Sequence, residues 1–211
     1  AFYPAQHTLR RHNMVQNGVE PLETLLSEDA KAYLSRFYQI FDEMVWEMCS
    51  AQLSQSISHN FIVQMIPHHR AAIEMSKNLL WYEPGAALRK IARGIISEQT
   101  QGISEMKKML PQCSICVNSP RDTALYQRRI ENIMSTMFRE MSAAPDTNHI
   151  DVDFMREMIP HHEGAIRMAE TALQYELCPE LVPVLEQIIR SQRQGVQEME
   201  ALLRRSGAKR R

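Results

Sequence analysis

Two stretches of this chain carry residue types suited to soft metal ions, and they are nearly the same stretch. Met65-Ile66-Pro67-His68-His69 runs on to Met75, and Met158-Ile159-Pro160-His161-His162 runs on to Met168. Thioether sulfur is a poor ligand for calcium or magnesium and a good one for Cu(I) or Ag(I), while imidazole suits copper in either oxidation state. The Glu-x-x-His pair of iron–carboxylate bundles does not occur, nor does the zinc-protease pattern His-Glu-x-x-His. The donor set therefore favours copper over iron or zinc. A lone methionine on a helix stripe is ordinary core filler, and a lone apolar-face histidine is more often a satisfied core group. A doubled His-His, with methionines three, four, six and seven positions away, reads better as two related metal sites.

The elements that must position these residues repeat as well. Met65 and Met158 define an offset that holds without a gap from Tyr33/Tyr126 to Leu110/Leu203. Along it lie Met44/Met137, Met48/Met141, Phe61/Phe154, Gln99/Gln192, Gly102/Gly195 and Met106/Met199, so ten of the 14 methionines form five pairs. A unit of this length repeated once is a tandem duplication, not a solenoid. Within each unit the apolar residues step by three and four, as in Tyr33, Phe37, Ile40, Phe41, Met44 and Met48. Nothing alternates as a strand would. The pattern predicts an all-α chain of about six long helices, a three-helix unit used twice. The boundaries are an irregular N-terminal segment 1–26, a first repeat 27–110, a linker 111–119, a second repeat 120–205 and a basic tail 206–211. Ser27 and Ser119-Pro120 are helix-start signals.

On the motif helix, about 100° per residue puts Phe61, Met65, His68, His69, Ala72 and Met75 on one broad face. Gln64, Arg70, Glu74 and Lys77 are expected to point the other way. Pro67 lacks an N–H and frees the carbonyl of Val63. Met44 and Met48, one turn apart on the preceding helix, are expected to meet the histidine helix, as are Met137 and Met141 in the second repeat. For Met106 and Met199 packing is the better reading. Gly102 either lets backbones approach or leaves room. His59 and His149 do not correspond under the offset and read as exposed helix-start residues. His7, His12 and Met14 read as part of an unstructured segment, with an auxiliary metal site as the alternative.

Composition narrows the function classes. The net charge of −1 gives no basic field for nucleic acid, and no apolar run is long enough to span a bilayer. The start at Ala1 is compatible with a removed export signal or a trimmed chain. Of the four cysteines, Cys113 and Cys116 form a Cys-x-x-Cys pair in the linker. Either a metal site or a disulfide is open to that pair, with a disulfide or plain linker favoured; Cys49 and Cys178 read as buried thiols or disulfide partners.

The Met-Ile-Pro-His-His motif, followed by small residues and Met, resembles the signature of the helical family known as domain of unknown function 305. The similarity spans Tyr33–Leu203. The resemblance implies a ferritin-like bundle, an exported location and binding of Cu(I), Cu(II) or Ag(I), the last as a surrogate. The double unit resembles that of a periplasmic member implicated in copper resistance. By motif match the implied ligands are Met65, His68, His69, Met75, Met158, His161, His162 and Met168.

The sequence thus predicts a non-enzymatic copper-binding protein that sequesters or delivers copper outside the cytoplasm, in periplasmic or extracellular space. A copper transporter or efflux component is the expected partner. A copper-dependent redox enzyme and an inert Met-rich bundle are the alternatives. Because ligation needs neutral imidazole, histidine-dependent affinity is expected to fall below pH about 6.5, whereas thioethers do not titrate.

Overall fold

The computed structural model describes residues 26–207; His7, His12, Met14 and the last residues of the basic tail lie outside them. Among the described residues six α-helices follow one another: α1 (Glu28–Cys49), α2 (Ile57–Leu80), α3 (Ala86–Cys113), α4 (Pro120–Ser142), α5 (Ile150–Ala172) and α6 (Val182–Arg205). Among the described residues there is no strand. The all-helical expectation, two sets of three, is what the structure shows.

Local chemistry explains where the helices begin. Ser27 caps α1 by accepting from the Ala30 N–H at 3.1 Å, with Glu28 and Asp29 at the positive end of the helix. Ser119 caps α4 by accepting from the Asp122 N–H at 3.1 Å, and Pro120 stands in the first turn. Ser56 does the same for α2 through the His59 N–H. The turn into α3 puts Glu83 at a φ of 48°, a left-handed conformation that Pro84 and Gly85 follow. At its far end α3 runs on to Cys113, so Pro111 is helical and not the start of an irregular linker. A proline in the last turn costs one backbone bond close to where the ladder ends.

In each repeat the three helices pack in chain order, and the repeats then join through α2 against α5 and α3 against α6. The central helices are covered over most of their surface: 17 of 24 residues of α2 and 15 of 23 of α5 are buried. This overturns one expectation. Gln64 does not face solvent but is 2% exposed, its amide Nε2 donating to the Met134 sulfur at 3.6 Å. A helix enclosed by its own unit and by the other repeat has no broad polar face to offer water. Arg70 and Lys77 do point outward.

Candidate metal centre

All twelve residues singled out by spacing are inside. Met44, Met48, Met65, His68, His69 and Met75, with Met137, Met141, Met158, His161, His162 and Met168, are each no more than 2% exposed. Met44 lies with Pro67 and Ala71 around one groove between α1 and α2. Its counterpart Met137 presses on Gly164, where an added Cβ would overlap the methionine sulfur and lie 2.8 Å from its Cγ. Each Met-x-x-x-Met helix therefore does meet its histidine helix. Met106 and Met199 are fully buried on α3 and α6.

The structure brings the histidines of the two repeats together, where the sequence pattern assigns them to separate units. The rings of His68 and His161 stack with centroids 3.6 Å apart and planes at 25°. His69 lies 6.1 Å from His68, and His162 lies 5.9 Å from His161, so four imidazoles form one row through the middle of the molecule. The contact is reciprocal. His68 Nε2 meets the His161 carbonyl at 3.1 Å, and His161 Nε2 meets the His68 carbonyl at 3.1 Å. A carbonyl only accepts, so Nε2 of each ring must carry the hydrogen. That leaves each Nδ1 with a bare lone pair, and none of the four Nδ1 atoms has a hydrogen-bond partner. Fixing one ring nitrogen to a carbonyl so that the other stays free is how metal-binding histidines are oriented.

The third helices shape the ends of the row. A Cβ on Gly102 would lie 3.2 Å from the His69 ring, and one on Gly195 would lie 3.0 Å from the His162 ring. The room left by these glycines is therefore filled by imidazole edges. Next to them, Gln99 and Gln192 are buried with their carbonyl oxygens unpartnered.

Burial keeps all four rings neutral. It lowers His68 to about 4 and His162 to about 3, and it drives His69 and His161 well below the ordinary histidine value. Neighbouring imidazoles reinforce this for His69, His161 and His162, because adding a second positive charge to the row is unfavourable. The acid threshold expected from the reference histidine value therefore moves down. Desolvation already disfavours the proton that would compete with a metal.

Among the described residues, no three His, Cys, Asp or Glu side chains converge as a metal site. Of these four residue types, the structure therefore offers no complete ligand set by itself, and the other donors close to the histidines in sequence are the soft thioethers of Met65, Met75, Met158 and Met168.

Several polar features escape the sequence reading. Tyr33 donates to Glu157 at 2.6 Å, linking α1 of one repeat to α5 of the other. Burial pushes both groups well up, and Tyr33's own upward shift is reinforced by the Glu157 charge. The available signal is Glu157 one helical turn before His161, on a face that must be buried. His59 is not a free exposed residue, for its Nδ1 meets Ser114 Oγ at 2.8 Å and its Nε2 meets the Gln52 carbonyl at 2.9 Å. His149 is exposed, as expected. Cys178 and Cys113 are buried, whereas Cys49 is exposed and not buried as expected, because it ends α1.

The model of a domain of unknown function (DUF305) matches residues 58–203, a span that contains the whole histidine row. The chain belongs to this family. Met44 and Met48 precede the matched span, while Met137 and Met141 fall within it. The fold is similar to that of CopM in a silver-bound form obtained by soaking, with a TM-score of 0.54 and 29% identity over 72% of this chain and 98% of that one. It is also similar to a DUF305 fragment from Deinococcus radiodurans, with a TM-score of 0.52 and 25% identity over 74% of this chain and 98% of that one. No curated protein matches significantly. No helix among the described residues is long and apolar enough to cross a membrane.

Proposed function

We propose that this DUF305 protein is a non-enzymatic carrier of soft monovalent metal, binding Cu(I), with Ag(I) as a surrogate, at a buried row of histidines flanked by methionines. The observation that carries this reading is the set of buried, unpartnered Nδ1 atoms on His68, His69, His161 and His162, of which those of His68 and His161 are bare lone pairs. Burying a polar atom without a partner costs about 1–3 kcal/mol, and four in one row is a cost that plain packing does not return. Buried methionines alone would suit an inert core equally well; the free imidazole nitrogens favour a ligand. Similarity to the silver-bound CopM supports the same choice of metal. Cu(II) is the less suited guest, since a site that draws on the neighbouring methionines for its remaining ligands prefers the softer ion.

In this reading the protein sequesters copper or hands it to a transporter or efflux component outside the cytoplasm. A competitive titration with Cu(I) tests it. Wild-type protein is expected to withdraw copper from a chromophoric chelator, and a variant with His68, His69, His161 and His162 changed to Leu is expected to lose that ability while staying helical. Equal uptake by both proteins would leave the Met-rich core with no metal role at the histidines. Turnover of a reducing substrate by the copper-loaded protein, abolished in His68→Ala, would instead make it a redox enzyme.

A further inference from the structure

The cysteines lie apart from the imidazole row in sequence and have a geometry of their own. Cys113 ends α3 in the first repeat, and Cys178 stands in the connection between α5 and α6 of the second. Two serines at the start of α2 hold both. Ser56 Oγ donates to the Cys113 carbonyl at 2.7 Å, and the Cys178 N–H donates to Ser58 Oγ at 2.9 Å. Both serines and both cysteines are essentially without solvent exposure. The two thiols lie close enough to perturb each other. Cys178 Sγ also donates to Glu180 Oε2 at 2.9 Å. One turn beyond Cys113, Cys116 is partly exposed, and its N–H reaches the Cys113 carbonyl at 3.3 Å.

We propose that Cys116, Cys113 and Cys178 form a thiol relay in which Cys116 exchanges with an external dialkyl disulfide and the oxidation ends as a buried Cys113–Cys178 bond between the two repeats. Of these three, only Cys116 is open to a reagent. Its thiolate attacks one sulfur of RS–SR, the S–S bond breaks, and RS⁻ leaves and takes up the proton that Cys116 gave up. Cys113 then attacks the Cys116 sulfur of the mixed disulfide and expels the second RS⁻, which takes the Cys113 proton. Cys178, in contact with Cys113, attacks the Cys113 sulfur and releases Cys116 as a thiolate. The proton of Cys178 passes by way of the Glu180 carboxylate and ends on Cys116. Two protein thiols and one RS–SR become one protein disulfide and two RSH.

Burial decides where the oxidation stops. A thiolate pair clasping a monovalent ion would leave net negative charge beside the Glu180 carboxylate, whereas a disulfide is neutral. Burial pushes the Cys113 and Cys178 thiols up, which is why neither serves as the point of entry. The relay is independent of the histidine row.

The test treats the reduced full chain with oxidised glutathione, stops it at intervals by alkylation and maps peptides without reduction. A Cys113–Cys178 link is expected as the end product, with Cys49 and Cys116 alkylated. Cys116→Ser, which removes a partly exposed thiol and leaves the core intact, is expected to slow that link about tenfold or more while giving the same product. Formation at the wild-type rate in Cys116→Ser overturns the relay. An end product joining Cys113 to Cys116, or a Cys178 that stays free, overturns the assignment.

Discussion

The two repeats keep one frame of histidine and methionine but differ at the first turns of their central helices. In the first repeat Asn60 holds the preceding loop, accepting from the Ser54 N–H at 2.8 Å and donating to its carbonyl at 3.0 Å. In the second, Asp153 does the same work as a carboxylate, accepting from the Thr147 N–H at 3.0 Å and its hydroxyl at 2.6 Å. One turn on, Gln64 stands where the second repeat has Glu157. Glu157 takes a hydrogen bond from Tyr33. The equivalent Tyr126 hydroxyl and the Gln64 carbonyl oxygen have no partner. Both tyrosines otherwise sit alike, edge-on to Tyr82 and Tyr175 at 5.9 and 5.7 Å. The second repeat has thus drifted towards acidic groups at a depth where charge is costly, while the imidazole row between the repeats has not changed. Where the duplicated halves touch each other, His68 and His161 each need the other's carbonyl, and drift is constrained.

The largest expected effect comes from what the halves share. All four imidazoles have folded values below the unfolded one, so the unfolded chain takes up protons first as pH falls. Stability is full above pH about 6.5 and is withdrawn as pH drops, down to about 4 for His68 and about 3 for His162. Each ring that is charged in the unfolded chain and neutral in the folded one removes about 1.4 kcal/mol for every pH step of one. Acidification from pH 7 to 4 is therefore expected to cost several kcal/mol. Urea unfolding across that range checks it; a flat profile would mean the rings are not desolvated. Glu157 contributes with the opposite sign. Its raised value takes stability away as pH rises from the ordinary carboxylate range.

The next effect separates the halves. Tyr33→Phe leaves the buried Glu157 carboxyl without its donor and is expected to cost about 2 kcal/mol, whereas Tyr126→Phe removes a hydroxyl that has no partner and is expected to cost under about 0.5 kcal/mol. Equal losses in chemical denaturation would erase the asymmetry.

Two glycine substitutions restore the comparison at the metal centre. Gly102→Ala and Gly195→Ala bring a methyl to 3.2 and 3.0 Å, respectively, from an imidazole. A helix gains up to about 1 kcal/mol from Gly to Ala, so stability should stay within about 1 kcal/mol. Cu(I) affinity should fall in both variants, and more in Gly195→Ala, because the rings must turn. Unchanged affinity would show that His69 and His162 do not bind.

The smallest effect lies outside. Arg70 pairs with Glu47 at 2.6 Å in the first repeat, and Arg167 pairs with Glu140 at 3.4 Å in the second. Both pairs are half-exposed, so alanine at either arginine is expected to cost no more than about 1 kcal/mol, less in high salt.

The helices are legible in the sequence because three-and-four spacing and capping serines are local signals, and Ser27 and Ser119 stand where their chemistry requires. The shared pattern of Met and His is legible because they recur at matching positions, and all twelve residues singled out are buried. That α2 faces α5 is not. Periodicity assigns a residue to a face but does not say what covers that face. For the same reason it sends Gln64 to solvent, places His68 and His161 in separate sites, and leaves the contact between Cys113 and Cys178 unseen. Gly102 is legible as a gap; that His69 fills it depends on how far apart two helices sit.

The proposed metal centre depends on the Nε2 atoms of His68 and His161 giving their hydrogens to each other's carbonyls, which leaves Nδ1 free for a soft ion. Long-range proton–nitrogen NMR spectra of the imidazoles, recorded before and after one equivalent of Ag(I) per repeat, test this directly. The Nε2–H form is expected for His68 and His161 in the metal-free protein, with Nδ1 resonances that move when silver is added. A hydrogen on Nδ1, or Nδ1 signals that stay in place while silver binds elsewhere, would contradict it.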